Sequence, residues 1–454
     1  MEKRNEYVSA LILAGGLGTR MKSDKPKVLH EICGETLLKH VILNVEEAGI
    51  EDIGVVVGYK AEMVKEMTGD KYSYFLQSEQ LGTGHAVMMA REFLKGKKGK
   101  ILVLCGDAPL INKDIINDFV KYSYDNELDL GVLTAILDDA KSYGRIVRKN
   151  GRLEKIVELK DADKNEAEIK EVNSGTYIFD IEKLLKHLDE LSTNNAQNEY
   201  YITDMIEIFK DNDYNVDAFA ASEGNIIEAA NNRYELSKCE ELFREKINKE
   251  LMLDGVTIID PKSTYIDRNV KVGTDTVIYP NTIIKKGSVI GKENIIYSSR
   301  IENSIIGNNN KIDNCVIVDA KVNDNNQIGP YVHLRPNADI KDNTRLGNFV
   351  EVKNSSIGNG TKVSHLTYIG DGDIGENTNV GCGVVFVNYD GKKKYRTKVG
   401  DNCFVGCNVN LVAPINIDDN VYIAAGSTLT DDVEKDSLAI ARSRQTVKKG
   451  YKKK

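Results

Sequence analysis

The sequence predicts two structural classes in one chain, an α/β doubly wound domain followed by a parallel β-helix, and three observations carry that prediction. Near-continuous apolar runs at 8–13, 53–57 and 101–104 alternate with helix-patterned stretches at 37–48 and 86–94. That is the pattern of strands buried on both faces of a parallel sheet. From about Asp260 onward the hydrophobic pattern repeats in hexads. The length of 454 residues accommodates both parts at roughly 150 residues per domain.

The first domain is expected over residues 1–227. Residues 228–253 are charged and helix-patterned, with Leu236, Cys239, Phe243 and Ile247 on one stripe, and read as a linker helix. Residues 254–454 carry the repeat. Val272, Ile278, Ile284, Ile290 and Ile296 form one hexad series, as do Val322, Ile328, Leu334, Ile340, Leu346 and Val352. A third series runs through Val399, Val405, Leu411, Ile417, Ile423 and Leu429, and glycine follows many of these aliphatics, as at Gly273, Gly329 and Gly406. Such a hexad is the signature of a parallel β-helix: each aliphatic points inward, and glycine or asparagine relieves the corners where φ is positive. At about 18 residues per coil, roughly nine coils are expected. The repeat breaks between Phe386 and Val399, where NYDGKKKYRTK is inserted. A solenoid stacks without such a segment, so it is a candidate binding loop.

Composition excludes several classes. The net charge of −8 and a pI near 5.5 argue against a nucleic-acid partner held through phosphates. No stretch approaches the ~20 apolar residues of a membrane span, and the opening MEKRNEYVSALILAGG does not read as a secretory signal. The seven cysteines are scattered without a C-x-x-C pair, which indicates neither a disulfide framework nor a zinc site. A cytoplasmic protein without membrane or nucleic-acid partners is expected.

The first strand leads into Leu13-Ala14-Gly15-Gly16-Leu17-Gly18-Thr19-Arg20, with Pro26-Lys27 beyond. A glycine turn leaving a parallel strand brings backbone N–H groups close to a phosphate, and Arg20 and Lys27 would neutralise it. The dinucleotide fingerprint fails because Met21 occupies its third glycine position, and no G-x-x-x-x-G-K-[ST] occurs. Asp107 follows the run 101–104 through Cys105-Gly106, at the carboxyl end of a strand where ligands bind in α/β sheets. In the second half, His365 lies in KVSHLTYIGD, while Arg335 and Lys353 stand one coil apart on one edge, where two cations could grip a phosphate.

These motifs, with Gln77, Leu81-Gly82-Thr83-Gly84, Tyr143-Gly144-Arg145, Glu158, Asn173-Ser174-Gly175, Asn231 and NAQNEYYITD at 195–204, resemble the sugar-nucleotidyltransferase family. The hexads resemble those of left-handed β-helical acyltransferases. Together they cover nearly the whole chain and resemble the bacterial family that joins an N-acetylglucosamine-1-phosphate uridylyltransferase to a glucosamine-1-phosphate N-acetyltransferase. The resemblance implies acetyl-CoA-dependent acetylation of glucosamine 1-phosphate, then uridylyl transfer from UTP to N-acetylglucosamine 1-phosphate. Leu13, Ala14, Gly15, Gly16, Lys27, Gln77, Gly82 and Thr83 would bind the nucleotide. Gly144, Glu158 and Asn173 would hold the amino sugar, with Asp107 and Asn231 on Mg2+ and Asn231 also among the substrate-binding residues. Arg335, Lys353, Tyr368 and Asn379 would bind glucosamine 1-phosphate. His365 would act as base, oriented by Glu351. Cys382, Asn388, Tyr389, Lys394, Cys407, Ala425 and Arg442 would meet acetyl-CoA. Cys382 and Cys407 depart from the alanine and serine expected there. A homotrimer is implied by the same resemblance. The alternative is a nucleotidyltransferase alone with a structural β-helix.

Overall fold

A computed structural model describes residues 7–140, 143–157, 159–160, 162–195, 197–222 and 224–452. The chain divides into two compact units, Met1–Phe243 and Arg244–Lys454.

The main sheet of the first unit contains β1 (Val8–Ala14), β2 (Ile53–Val57), β3 (Ser73–Leu76), β4 (Lys100–Cys105), β5 (Leu130–Ile136), β6 (Glu171–Asp180) and β7 (Val216–Ala220). Their order is β7-β5-β6-β4-β1-β2-β3. Helices cover both faces, so alternate residues of one strand enter opposite cores: Ala10 and Ile12 of β1 join one cluster and Leu11 the other. This is why the strands read as continuous apolar runs. One expectation needs correction. The sheet is mixed, because β6 runs antiparallel to both β4 and β5. The chain leaves β5 through a hairpin, Arg145–Lys149 with Arg152–Val157, and an antiparallel neighbour needs no helical crossover.

A helix spans Arg233–Leu253. The ring of Phe243 lies 4.3 Å from that of His40 in the first unit, while Ile247 and Leu251 pack on the core of the second. The apolar stripe of this helix therefore serves two cores in turn.

The second unit is a parallel β-helix whose interior is one continuous cluster of buried, mostly aliphatic side chains. Among the described residues, one of its faces is a nine-stranded sheet. The coil length is not constant. Lys271 pairs with Val289 across a full set of three hexads, whereas Ile295 pairs with Lys311, and Glu351 with Tyr368, across shorter coils. The inserted loop lengthens the coil that joins Val385 to Asn410. The hexad series break where the inward residues fall closer together, as at Ile296, Ile301 and Ile306. Each shortened corner carries one residue of positive φ, at Ser298, Asn303, Asn314, Asp319, Asn354 and Asp371, with φ between 38° and 50°. Asparagine and aspartate tolerate this region far better than bulky residues do. A shortened corner is thus the same fold turned more tightly.

Replacing Asn314 tests the corner rule. Asn314→Val should cost about 1–2 kcal/mol, because a β-branched side chain resists positive φ, whereas Asn314→Gly should be tolerated within about 0.5 kcal/mol. Chemical denaturation followed by circular dichroism distinguishes the two.

Candidate functional site

In the first unit, β1 and β4 end side by side, and the Gly106 N–H donates to the Leu13 carbonyl at 2.9 Å. The turns after them, Gly15-Gly16 and Gly106-Asp107, therefore face the same space. A cleft of about 300 Å³ opens there, lined by residues 13–16, Lys27, Gln77, Gly82, Thr83 and Asp107. Glycine is needed at two of these positions. A Cβ on Gly15 would stand 2.5 Å from Oε1 of Gln77, and Gly82, at φ 106°, lies against the Tyr200 carbonyl. Gln77 is buried, and its amide donates to the Gly82 carbonyl at 3.1 Å. The Ile202 N–H donates to the Thr83 hydroxyl at 3.1 Å, which fixes the start of the helix Thr83–Met89.

The charged groups meet at one atom. Lys27 Nζ donates to the Asp107 carboxylate and, at 3.2 Å, to Oδ1 of Asn231. Arg20 donates to the same Oδ1 at 3.0 Å. Asn231 does not cap the helix Arg233–Leu253; Asn232 does, accepting from the Glu235 N–H at 2.9 Å. The Glu235 carboxylate in turn accepts from the Asn231 N–H at 2.9 Å, and the Ala230 N–H donates to the Asp107 carbonyl at 3.3 Å. The Asn231 amide oxygen is thereby left pointing at the cations. Two oxygens converging on one cationic nitrogen form a hard donor pair of the kind magnesium accepts, with phosphates and water completing its shell. Among the described residues no group of three or more His, Cys, Asp or Glu could hold a metal without such help.

Other sequence-selected residues sit apart from this centre. The Asn173 N–H donates to the Gly144 carbonyl at 2.9 Å, so these two residues are adjacent, and the Asn173 amide donates to the Tyr177 hydroxyl at 2.8 Å. They lie at the bulge where β6 slips register against β5. That bulge reaches the cleft through Cys105, whose thiol donates to the Gly175 carbonyl. Burial, reinforced by the Asp107 carboxylate, pushes the Cys105 thiol up to about 12, so it stays protonated at neutral pH. Glu158 lies outside the described residues. The cleft also contains Val28, Gln80, Ala86 and Glu199, which the sequence did not single out as site residues. Glu199 lies in the NEYYITD segment, and the Tyr200 N–H donates to the Leu81 carbonyl at 2.8 Å. That segment was the one available signal.

On the β-helix, strand register sorts the selected residues into two groups. His365 pairs with Asn348. The same stacking carries it to Cys382 through Val363↔Val380, to Cys407 through Val380↔Val405, and to Ala425 through Val405↔Ile423. Arg442 lies beside Gly426. These residues form one edge. The second group stands at the next corner, a hexad further along each coil. There the Arg335 N–H donates to the Val352 carbonyl at 2.9 Å, which sets Arg335 beside Lys353. Tyr368 lies on the face between the edges, paired with Glu351. Asn379 lies on the preceding face, paired with Lys362.

The second edge is electrostatically built. The ammonium of Lys394, from the inserted loop, stands beside that of Lys353 and, with Arg335, lowers the Lys353 pKa. Burial of Asp371 would raise its pKa, but hydrogen bonds from Asn354 and Asn388 and the two lysines outweigh it and hold the carboxyl below its ordinary value. The Asn388 amide donates to Asp371 at 2.6 Å, Tyr389 pairs with Lys394 across the loop, and Arg396 returns to Asp373. The loop is therefore tied to the corner that carries Lys353. Glu351 is placed differently from its expected role. Its carboxylate accepts from Arg335 at 2.6 Å rather than from the ring of His365. The register explains this, because Arg335 stands beside Lys353, two residues past Glu351 at the second corner, whereas His365 stands at the other edge.

The comparisons agree with this architecture. The pattern described as Nucleotidyl transferase matches residues 9–224, and Bacterial transferase hexapeptide (six repeats) matches 319–354 and 396–431. The bifunctional protein GlmU of Clostridium novyi is 48% identical over 98% of this chain and 98% of its own. Those of Acetivibrio thermocellus and Clostridioides difficile are 49% and 48% identical, over 98% and 97% of this chain and 97% and 96% of theirs. With a nucleotidyltransferase unit, a left-handed hexapeptide β-helix and full-length relatives at this identity, the chain belongs to the family of bifunctional GlmU transferases.

Proposed function

We propose that the chain makes UDP-N-acetylglucosamine in two steps on its two units. The β-helix transfers acetyl from acetyl-CoA to the amine of glucosamine 1-phosphate. The first unit then joins N-acetylglucosamine 1-phosphate to UTP and releases pyrophosphate. The observation that carries this reading is that each unit presents its own cluster of cations around an acidic residue, Lys27 with Arg20 near Asp107 and Lys353 with Lys394 near Asp371.

In the uridylyl site the attacking sugar-phosphate oxygen is already an anion, so the work is alignment and neutralisation of charge. Arg20 and Lys27 supply positive charge to the phosphates. Gln77, Gly82 and Thr83 hold the base of the nucleotide. Asp107 and Asn231 would hold Mg2+, which when bound offsets the charge of the triphosphate. Gly144 and Asn173, with Glu158, position the amino sugar.

In the acetyl site Arg335 and Lys353 grip the phosphate of glucosamine 1-phosphate. His365 takes the proton of the attacking amine, the general-base role that histidine fills most often. The acyl-donor residues stand on two edges of one chain, Cys382, Cys407, Ala425 and Arg442 on the first and Asn388, Tyr389 and Lys394 on the second. A pocket using both edges, and Asn379 as well, draws them from neighbouring copies, which supports a homotrimer. So does a column of exposed apolar residues, Tyr331, Phe349 and Leu366, each more than half exposed. Membership of the family supports a cytoplasmic location, where these substrates would be met. Among the described residues no helix is long and apolar enough to cross a membrane.

One incubation tests the whole scheme: glucosamine 1-phosphate, acetyl-CoA, UTP and magnesium, read by mass spectrometry with each component omitted in turn. UDP-N-acetylglucosamine that requires all four supports both steps; a requirement for supplied N-acetylglucosamine 1-phosphate leaves the β-helix as scaffold. Asp107→Ala should lower uridylyl transfer by about a hundredfold or more and leave acetyl transfer intact. His365→Ala should do the reverse, lowering acetyl transfer by about 10²–10⁴-fold. Phe349→Asp should dissociate the assembly, seen as monomer in analytical ultracentrifugation, and retain uridylyl transfer.

A further inference from the structure

We propose that Cys382 and Cys407 form a dithiol site that a low-molecular-weight disulfide converts into an intramolecular disulfide, closing the acyl-donor edge of the β-helix. The inference rests on the reading of that edge given above. Register places the two residues on adjacent coils at the same corner, since Asn379↔Phe404 and Val380↔Val405 are paired immediately before them. The Asn408 N–H donates to the Cys382 carbonyl at 2.7 Å, and a Cβ on Gly381 would stand 2.7 Å from the Cys407 nitrogen. Neighbouring strands lie about 4.8 Å apart, inside the Cα separation of about 4.4–6.8 Å that a disulfide spans.

Glycines let the coils approach closely at this corner. Glycine flanks Cys382 on both sides, at Gly381 and Gly383, and Gly406 precedes Cys407. Access differs among the cysteines. Cys407 is exposed and Cys382 half-buried, whereas Cys33, Cys239, Cys315 and Cys403 are buried. Cys105 is half-buried and belongs to the first unit, where its thiol donates to the Gly175 carbonyl.

The chemistry balances as two exchanges. The Cys407 thiolate attacks one sulfur of the oxidant, forming a mixed disulfide and expelling one thiolate. The Cys382 thiolate then attacks the Cys407 sulfur and expels the second. Two protein thiols are oxidised, the oxidant is reduced to two thiols, and the two protons pass to the departing thiolates. His365 and Ala425 flank the pair in the same column. A bond drawing the two corners together therefore deforms the surface between the proposed base and the upper end of the donor edge.

The test uses the full-length protein treated with glutathione disulfide and then restored with dithiothreitol. Peptide mapping should recover a Cys382–Cys407 cross-link. Acetyl transfer, read by mass spectrometry of the N-acetyl product, should fall by about a hundredfold, the scale of loss when a reactant is misplaced by an ångström. Uridylyl transfer from supplied N-acetylglucosamine 1-phosphate should not change, and dithiothreitol should reverse the loss. Cys382→Ala and Cys407→Ser, each compared with its own untreated form, should lose the sensitivity. The proposal is overturned if mapping finds both thiols free or only mixed disulfides, or if the cross-link forms and acetyl transfer persists. Failure of the reduced protein to transfer acetyl at all would instead overturn the functional reading, while mapping still decides whether the cross-link forms.

Discussion

The second unit depends on one packing constraint: an aliphatic side chain must return to the interior once per hexad or shortened hexad, and corner geometry is whatever allows it. That constraint fixes which outward residues stack. Through a shortened coil it places His365 directly over Asn348, and through a full coil it pairs Thr397 with Ile415. The coil that carries the inserted loop is longer than its neighbours, yet Val380 and Val405 remain paired. The extra residues are absorbed at a single corner without disturbing the interior. A loop bearing Asn388, Tyr389 and Lys394 is thus added to the surface at little cost to the core, and the hydrogen bond from Asn388 to Asp371 fixes where it lies.

The first unit works by close approach. Gly58 faces the carbonyl of Gly15, Gly15 faces Gln77, and Gly82 faces Tyr200. With no side chains at these points, the backbone itself forms the wall of the cleft, and its N–H groups are the natural partners of phosphate. Lys27 then stands where backbone alone would fail. Its ammonium is shared between Asp107 and Asn231, so it is held in position before any anion arrives, and preorganisation of this kind is where electrostatic stabilisation gains most.

Much of this was legible in the sequence because the signals are local and periodic. The buried strands, the hexads and the glycine turn after β1 each follow from residues within a few positions of one another. What was not legible depends on long-range pairing. The antiparallel β6 reads like its parallel neighbours, since both kinds are buried on both faces here. The shortened coils were hidden because a missing corner residue only interrupts a series. The period of a full coil sets Arg335 beside Lys353. The pairing of Glu351 with Arg335 joins adjacent coils and is visible only in the structure. That Asn232 rather than Asn231 caps the helix is likewise a matter of hydrogen bonding that residue type does not settle.

The corners also show where the family's chemistry overrides ease of folding. Most positive-φ positions of the β-helix are asparagine, aspartate or glycine, which reach that region at low cost. Tyr331, Phe349 and Leu366 adopt it too, at φ 59°, 57° and 44°, in three successive coils. The rings of Tyr331 and Phe349 stack at 5.3 Å and 7° from parallel. Each bulky residue there costs on the order of 1 kcal/mol relative to asparagine or glycine and still leaves apolar surface in water. A column of strained, exposed apolar side chains beside His365 is stable in an isolated solenoid only at a loss. Burying it against another copy recovers about 25 cal/mol for each Å² removed from water. The strain at these corners is therefore of the kind that the proposed assembly would offset, by covering the same column that an isolated solenoid leaves in water.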